Sequence, residues 1–421
     1  MMSKTLNYFL ELTQIPHCSR DTSALKDYLV HFALERNYTI EIDSSDNILI
    51  HKGNPTIALQ AHYDMVCVGK APDIQTYEED GWLKAKDSSL GADNGIAIAM
   101  MMVLMDEGKE CEFLLTSDEE IGLIGAKALN FDLKSHSMLN LDSEDEAEVY
   151  IGCAGGEDII ATKEYSKPIT LNDNLYEVSI SDLKGGHSGV DIDKGIPSAI
   201  KVLIAYLKEI DAKIIAFEGG ERRNSIPANA KAIIQSSKTP KEDKQFTYKK
   251  LEGEYTLYQN NLLELLDKLP HGVLEMNEEL QIPHSSANLA LVDFKDNYAT
   301  ITVTTRGMSS DALSLASNQA IDIFKSNHYI QSIEDNYPSW KPDINSFTQL
   351  VDRKMKEEFG SSKFVAIHAG LECGVISARY PNIKFASIGP TIEFPHSKSE
   401  RLKISSVEKI LNVVRELVRE V

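Results

Sequence analysis

Apolar and polar positions follow two different patterns along this chain. In the first third, short apolar runs alternate with longer segments of helical period: "TIALQ" (56–60), the helix-like 93–105, "EFLLT" (112–116), "GLIGAKAL" (122–129) and "SMLNLD" (137–142). Such alternation predicts an α/β domain whose mostly parallel sheet is flanked by helices. From about residue 157 the pattern turns β-rich, with "LYEVSISDL" and "YATITVTTR" separated by the amphipathic stretches "IPSAIKVLIAYLKEI" and "NNLLELLDKL". After the turn-rich "NYPSWKPD" (336–343), strand and helix alternate again through "KFVAIHAG", "KFASIG" and the closing "ISSVEKILNVVRELVREV". The simplest organisation is one discontinuous α/β domain, 1–157 and 335–421, interrupted by an inserted α+β domain, 158–334. There is no internal repeat, and the charged "KTPKEDKQ" (238–245) reads as a solvated loop.

Length agrees with this division, because 421 residues exceed one ordinary core and 42% hydrophobic residues suffice for two. A net charge of −21 excludes binding to nucleic-acid backbones and to anionic membranes, and leaves acidic charge that cations could neutralise. The five cysteines are scattered and form no C-x-x-C pair, so the expectation is reduced thiols rather than a disulfide framework or a thiolate zinc site. The N-terminal stretch has charges throughout and no signal-peptide core, and the most apolar run, 95–105, is far shorter than the roughly 20 residues that span a bilayer. A cytoplasmic protein is expected.

Ligands of open α/β sheets bind beyond the carboxyl ends of the strands, so the residues after each apolar run carry the most information. "TIALQ" leads to His62 and Asp64, "EFLLT" to Glu119 and Glu120, "SMLNLD" ends in Asp142, "KFASIG" leads to His396, and Asp93 opens the helical segment in "SSLGADNG". Taken singly, each has a plain reading: a strand-end histidine is usually a hydrogen-bonded surface residue, and acids before a helix usually cap it. Their conjunction at one edge outweighs those readings. Imidazoles mixed with carboxylates suit a borderline divalent ion such as Zn²⁺, with Co²⁺ or Mn²⁺ as substitutes. A catalytic zinc takes three protein ligands, so five candidates suit two metals sharing one carboxylate.

The segments "LQAHYDMV", "SSLGADNGIAIA", "TSDEEIGLIGA", "LNLDSED", "GCAGG", "LKGGHSG", "HAGLECG" and "GPTIEFPHSKSERL" together resemble the two-zinc metallopeptidases of the carnosinase and aminoacylase type, and within them a bacterial dipeptidase branch. The resemblance runs from about residue 10 to the C-terminus. It implies a zinc-exopeptidase-like catalytic domain with the insertion as lid. His62 and Asp142 would hold one zinc, Glu120 and His396 the other, and Asp93 would bridge them. Glu119 would be the general base and Asp64 would orient the His62 ring.

From the lid, His187 would donate to the oxyanion, while Asn224 and Arg306 would grip the substrate's carboxylate. Glu372 would receive its amino group or shape the pocket, and His368 is read as structural. The implied activity is hydrolysis of unblocked dipeptides, Xaa-His substrates such as carnosine among them, by a protein that dimerises through its lid. Aminotripeptidases and N-acyl amino-acid deacylases use the same metal set, and a noncatalytic scaffold is the remote alternative, against which Glu119 speaks. The chain departs from this branch in a short lid and in the "GM" after Arg306, both in the half that sets specificity.

Overall fold

The computed structural model describes residues 3–242 and 245–421. The chain divides into two units: Met1–Gly152 with Trp340–Ala366 and Leu371–Val421, and Cys153–Ser339 with Ile367–Gly370.

The first unit is built on an eight-stranded sheet. Its four central strands, Glu112–Thr116, Ile57–His62, Ser137–Asn140 and Lys384–Ser387, lie side by side and parallel. Outside them Ile48–His51 and Thr39–Ile42 join antiparallel on one side, and Glu148–Cys153 joins antiparallel on the other. The sheet is therefore mixed, which corrects the expectation of a mostly parallel one. The central strands are covered on both faces and read as unbroken apolar runs, whereas a short exposed strand such as Thr39–Ile42 carries no mark of its direction in sequence.

Helix Ala92–Asp106 packs on strand Ile57–His62 and on helix Lys4–Leu12. Every residue from 94 to 105 in it is buried, so its all-round apolar composition belongs to a core helix. The closing helix, Ile404–Glu420, has the opposite character. It buries Val407, Ile410, Leu411, Val414 and Leu417, at spacings of three and four, and packs against Ser346–Phe359. The latter helix starts in a capping box of Asn345 with Thr348 and stops at Gly360, whose φ of 81° is left-handed. No helix among the described residues is long and apolar enough to cross a membrane.

One expectation about the cysteines is overturned. Cys18 and Cys67 are joined as a disulfide, with Cα atoms 5.5 Å apart, while Cys111, Cys153 and Cys373 are buried thiols. The partners lie 49 residues apart, and what brings them together is a bridge between Cys18 and Met65, which spacing alone does not reveal.

The second unit carries a nine-stranded sheet running Phe246–Lys250, Leu175–Ile180, Ala230–Gln235, Lys213–Gly219, Ile282–Lys295, Tyr298–Gly307, Gly155–Glu164, Ile330–Tyr337, with Gly272–Asn277 also paired to Ile282–Lys295. Its neighbouring strands pair antiparallel. Helices Ala199–Glu209, Leu262–Lys268 and Ser310–Ser326 supply Leu203, Leu207, Leu265 and Phe324 to a core shared with Phe217 and Phe294 of the strands.

Candidate metal centre and active site

Four parallel neighbours in one sheet end at the same edge, so the polar residue that follows each apolar run is delivered to one place. His62 closes strand Ile57–His62, and Asp142 lies two residues past Asn140. Glu119 and Glu120 follow Asp118, whose left-handed φ of 48° turns the chain sharply after strand Glu112–Thr116. Asp93 is not a helix cap: its backbone is non-helical (φ −82°, ψ 102°) and its side chain points to two imidazoles. Asp93 Oδ1 is 3.1 Å from His62 Nε2, and Oδ2 is 3.0 Å from His396 Nε2. His62 Nε2 also lies 3.3 Å from Asp142 Oδ1, and His396 Nε2 lies 2.9 Å from Glu120 Oε2. Two trios, His62/Asp93/Asp142 and Asp93/Glu120/His396, thus share only Asp93, each with its ligand atoms within 4.8 Å of one another.

The donor set fits two divalent cations. Asp93, Glu119, Glu120 and Asp142 are carboxylates gathered around two imidazoles, so negative charge exceeds positive even when both rings are protonated. Glu120 Oε1 is buried with no hydrogen-bond donor, an orphaned acceptor of the kind that a bound cation would satisfy. The electrostatics express the same imbalance. Burial, aided by Asp93, pushes Glu120 up to about 7, and burial holds Glu119 well above the ordinary carboxylate range. Burial works against charge on His396, yet the Asp93 and Glu120 carboxylates drive it up to about 11.

Two further carboxylates brace this edge. Asp64, 1% exposed, accepts the backbone N–H of Glu119 (2.9 Å) on Oδ1, and that of Glu120 (3.3 Å) with the Ser19 hydroxyl (2.8 Å) on Oδ2. Its Oδ1 is 3.5 Å from His62 Nδ1, whose hydrogen bond goes to the Asp64 carbonyl at 3.0 Å. Glu400 accepts the N–H groups of Leu90, Gly91, Ala92 and Asp93 at 2.7–3.4 Å and so fixes the loop that presents Asp93.

A profile of the peptidase family M20/M25/M40 matches residues 58–420. The chain belongs to that family. This peptidase is 32% identical to the cytosol non-specific dipeptidase of Escherichia coli over 98% of its own length and 96% of the relative's. Among solved structures it is similar to aminoacylhistidine dipeptidase from Vibrio alginolyticus, with TM-score 0.82, 29% identity, and 99% of this chain and 96% of that one covered. A tripeptidase from Staphylococcus aureus, at TM-score 0.61 and 16% identity with 99% and 98% covered, shares the fold.

The peptidase's other candidates fall in two places. In the second unit, the two-residue ladder of Gly186–His187 with Ser225–Ile226 sets His187 beside the Asn224 turn, where the Ser188 amide donates to the Asn224 carbonyl at 2.9 Å. His187 Nδ1 accepts from the amides of Gly189 (3.1 Å) and Val190 (3.3 Å), so the neutral ring carries its proton on Nε2. A side chain at Gly189 would strike the His368 carbonyl and the His187 ring. Arg306 is 5% exposed, sits opposite Ser286 in the sheet and donates to the Tyr337 hydroxyl. His368 is bonded to Ser286 Oγ at 2.8 Å.

Glu372 is in the first unit, fully buried at the start of helix Glu372–Arg379. Burial pushes it up to about 7, against the pull of His62 and of hydrogen bonds from Thr116 and Gln60. Sequence reasoning did not single out Ser19, Gln60, Thr116 or Glu400 as parts of this machinery. Gln60, the one polar residue of "TIALQ" besides its opening threonine, was the available signal.

Proposed function

We propose that this peptidase is a two-metal dipeptidase that cleaves unblocked dipeptides, Xaa-His substrates among them, in the cytoplasm. The single observation that carries the reading is the Asp93 carboxylate, with one oxygen toward each of two imidazole-centred ligand trios and Glu119 beside them. His62 with Asp142 and His396 with Glu120 would hold one divalent cation each, Zn²⁺ or its substitutes Co²⁺ and Mn²⁺, bridged by Asp93. Such cations supply positive charge and Lewis acidity.

Glu119 takes a proton from the attacking water onto its carboxylate and hands it to the leaving amine. Its backbone amide is tied to Asp64, which fixes the turn that carries the base, and its carboxylate lies within 4.8 Å of the His62 and Glu120 ligand atoms. Asp64 also steadies the His62 ring. Glu372 receives the substrate's α-amino group. Within the second unit, read as the lid, 158–334, His187 donates its Nε2 proton to the developing oxyanion, and Arg306 with Asn224 receives the substrate's carboxylate. The Nδ1 bonds of His187, which leave Nε2 as the donor, support that assignment.

A hydrolysis panel tests the reading. Unblocked dipeptides should be cleaved, with Xaa-His members included, and N-acylated ones spared. Preference for tripeptides or for N-acyl amino acids would move the protein to the aminotripeptidase or deacylase reading, and a metal-loaded protein inactive on all of them would leave a scaffold.

A further inference from the structure

The most apolar part of the first unit contains an unexpected row of polar side chains. Thr116, Gln60, Asn140 and Ser387 come from the four central parallel strands, and all four, with Glu372, are 0% exposed. Polar groups so deep are costly unless each finds a partner, and these do, in one direction. Ser143 Oγ pairs with Ser387 Oγ at 2.6 Å, and Ser387 donates to Asn140 Oδ1 at 2.5 Å. Asn140 Nδ2 donates to Gln60 Oε1 at 2.6 Å, and Gln60 Nε2 donates to Glu372 Oε2 at 2.5 Å. The amide orientations are forced, because the Asp142 N–H also meets Asn140 Oδ1, at 3.2 Å, and only an oxygen accepts there. Thr116 adds a second donor to Glu372 Oε2 at 2.8 Å.

The amide chain therefore runs toward one carboxylate, and Gln60 Nε2 also donates to the Thr116 hydroxyl at 3.1 Å, which in turn has the Ala61 carbonyl at 3.2 Å as a second acceptor. Glu372 Oε2 is doubly satisfied, while Oε1 is buried with no hydrogen-bond donor. Aligned donors favour the ionised form and polarise one another. These donors oppose the burial that raises Glu372, and a carboxylate oriented by them with one oxygen unmet is a receptor for a compact cation. The row also sits next to the chemistry: Gln60 is two residues before His62 on the same strand face, and Asn140 is two before Asp142.

We propose that Gln60, Asn140 and Thr116 are positioning residues for amino-group recognition, orienting Glu372 so that Oε1 receives the α-ammonium of the substrate. The inference rests on the reading of the protein as a peptidase for unblocked dipeptides. It assigns to the buried row the preference for a free amino terminus, separately from the metal chemistry.

The test compares kcat and KM for an unblocked dipeptide and for its desamino analogue, which lacks only that amine, alongside metal content. The proteins are the wild-type holoenzyme, Glu372→Gln, Gln60→Met and Thr116→Val. Loss of one charge-assisted hydrogen bond to Glu372 should lower kcat/KM for the unblocked dipeptide about tenfold, through KM. Cleavage of the desamino analogue should fall far less than that of the unblocked dipeptide, metal content should be retained, and Glu372→Gln should remove most of the preference. Thr116→Val is nearly isosteric and carries the test if Gln60→Met fails to fold. Equal losses on both substrates, or loss of metal, would make the row a mere support for the ligand-bearing strands and overturn the proposal. So would an unchanged preference in every variant. A wild-type enzyme with no preference for the free amine would instead refute the unblocked-dipeptide reading on which the proposal stands.

Discussion

Replacing Asp64 by asparagine removes one charge and one acceptor from the point where the catalytic edge is tied together. The wild-type carboxylate takes the Glu119 amide on Oδ1 and the Glu120 amide with the Ser19 hydroxyl on Oδ2. Asparagine has a single side-chain oxygen, so its NH₂ must face one of those two backbone donors. In either orientation His62 loses its charged neighbour at 3.5 Å; if the NH₂ replaces Oδ1 the Glu119 amide is orphaned, and if it replaces Oδ2 the Glu120 amide is orphaned while Ser19 keeps its bond to the Met65 carbonyl.

A charge-assisted hydrogen bond lost at a site only 1% exposed costs about 1.5–3 kcal/mol. At about 1.4 kcal/mol per decade that is roughly 10–100-fold, the range known for residues that orient metal ligands. The expected result is a metal dissociation constant raised by that factor, measured by competition with a chromophoric chelator, and a parallel fall in kcat/KM at limiting metal. Thermal melting of the two metal-free proteins separates this from general loss of stability. Metal affinity within about twofold of wild type would refute the reasoning and leave Asp64 as a structural link only.

The remaining predictions concern the base, the second unit and acid. Glu119→Gln cannot accept a proton and should lose about two or more decades in kcat with metal retained, whereas Glu120→Gln should lose metal; steady-state kinetics beside elemental analysis checks the division. His187→Ala should lower kcat by roughly 10²–10³, as for one lost oxyanion donor, with metal content unchanged. Burial, with the nearby Lys201 charge, pushes His271 down to about 4, and burial, with Arg306, pushes His368 down to about 3. Both therefore fold neutral, while the unfolded chain binds their protons below about 6.5. The stability they contribute is present above that pH and lost as pH falls toward about 4, so Tm should drop on acidification across this window, and His271→Gln should flatten the drop.

The candidate metal ligands were legible because sheet physics repeats itself: an apolar strand buried on both faces announces its own end, and parallel neighbours bring those ends together. His62, Asp142, Glu120 and His396 each stand just past such a run, and the structure brings them around Asp93. Three other features were hidden for physical reasons. The direction of the outer strands depends on pairing partners and not on composition, so the antiparallel flank of Ile48–His51 and Thr39–Ile42 was missed. The Cys18–Cys67 bond closes between segments whose proximity is purely tertiary. Gln60 and Thr116 look like breaks in apolar strands, and only the sheet register, which sets Gln60 opposite Asn140 and Thr116 beside His62, makes them a row.

The central claim is that one chain holds two cations across a shared Asp93, and titration of the metal-free enzyme with Zn²⁺ by calorimetry tests it most directly. The account predicts two equivalents bound per chain, with Asp93→Asn weakening both. A single equivalent, or two whose affinities are untouched by Asp93→Asn, would contradict it.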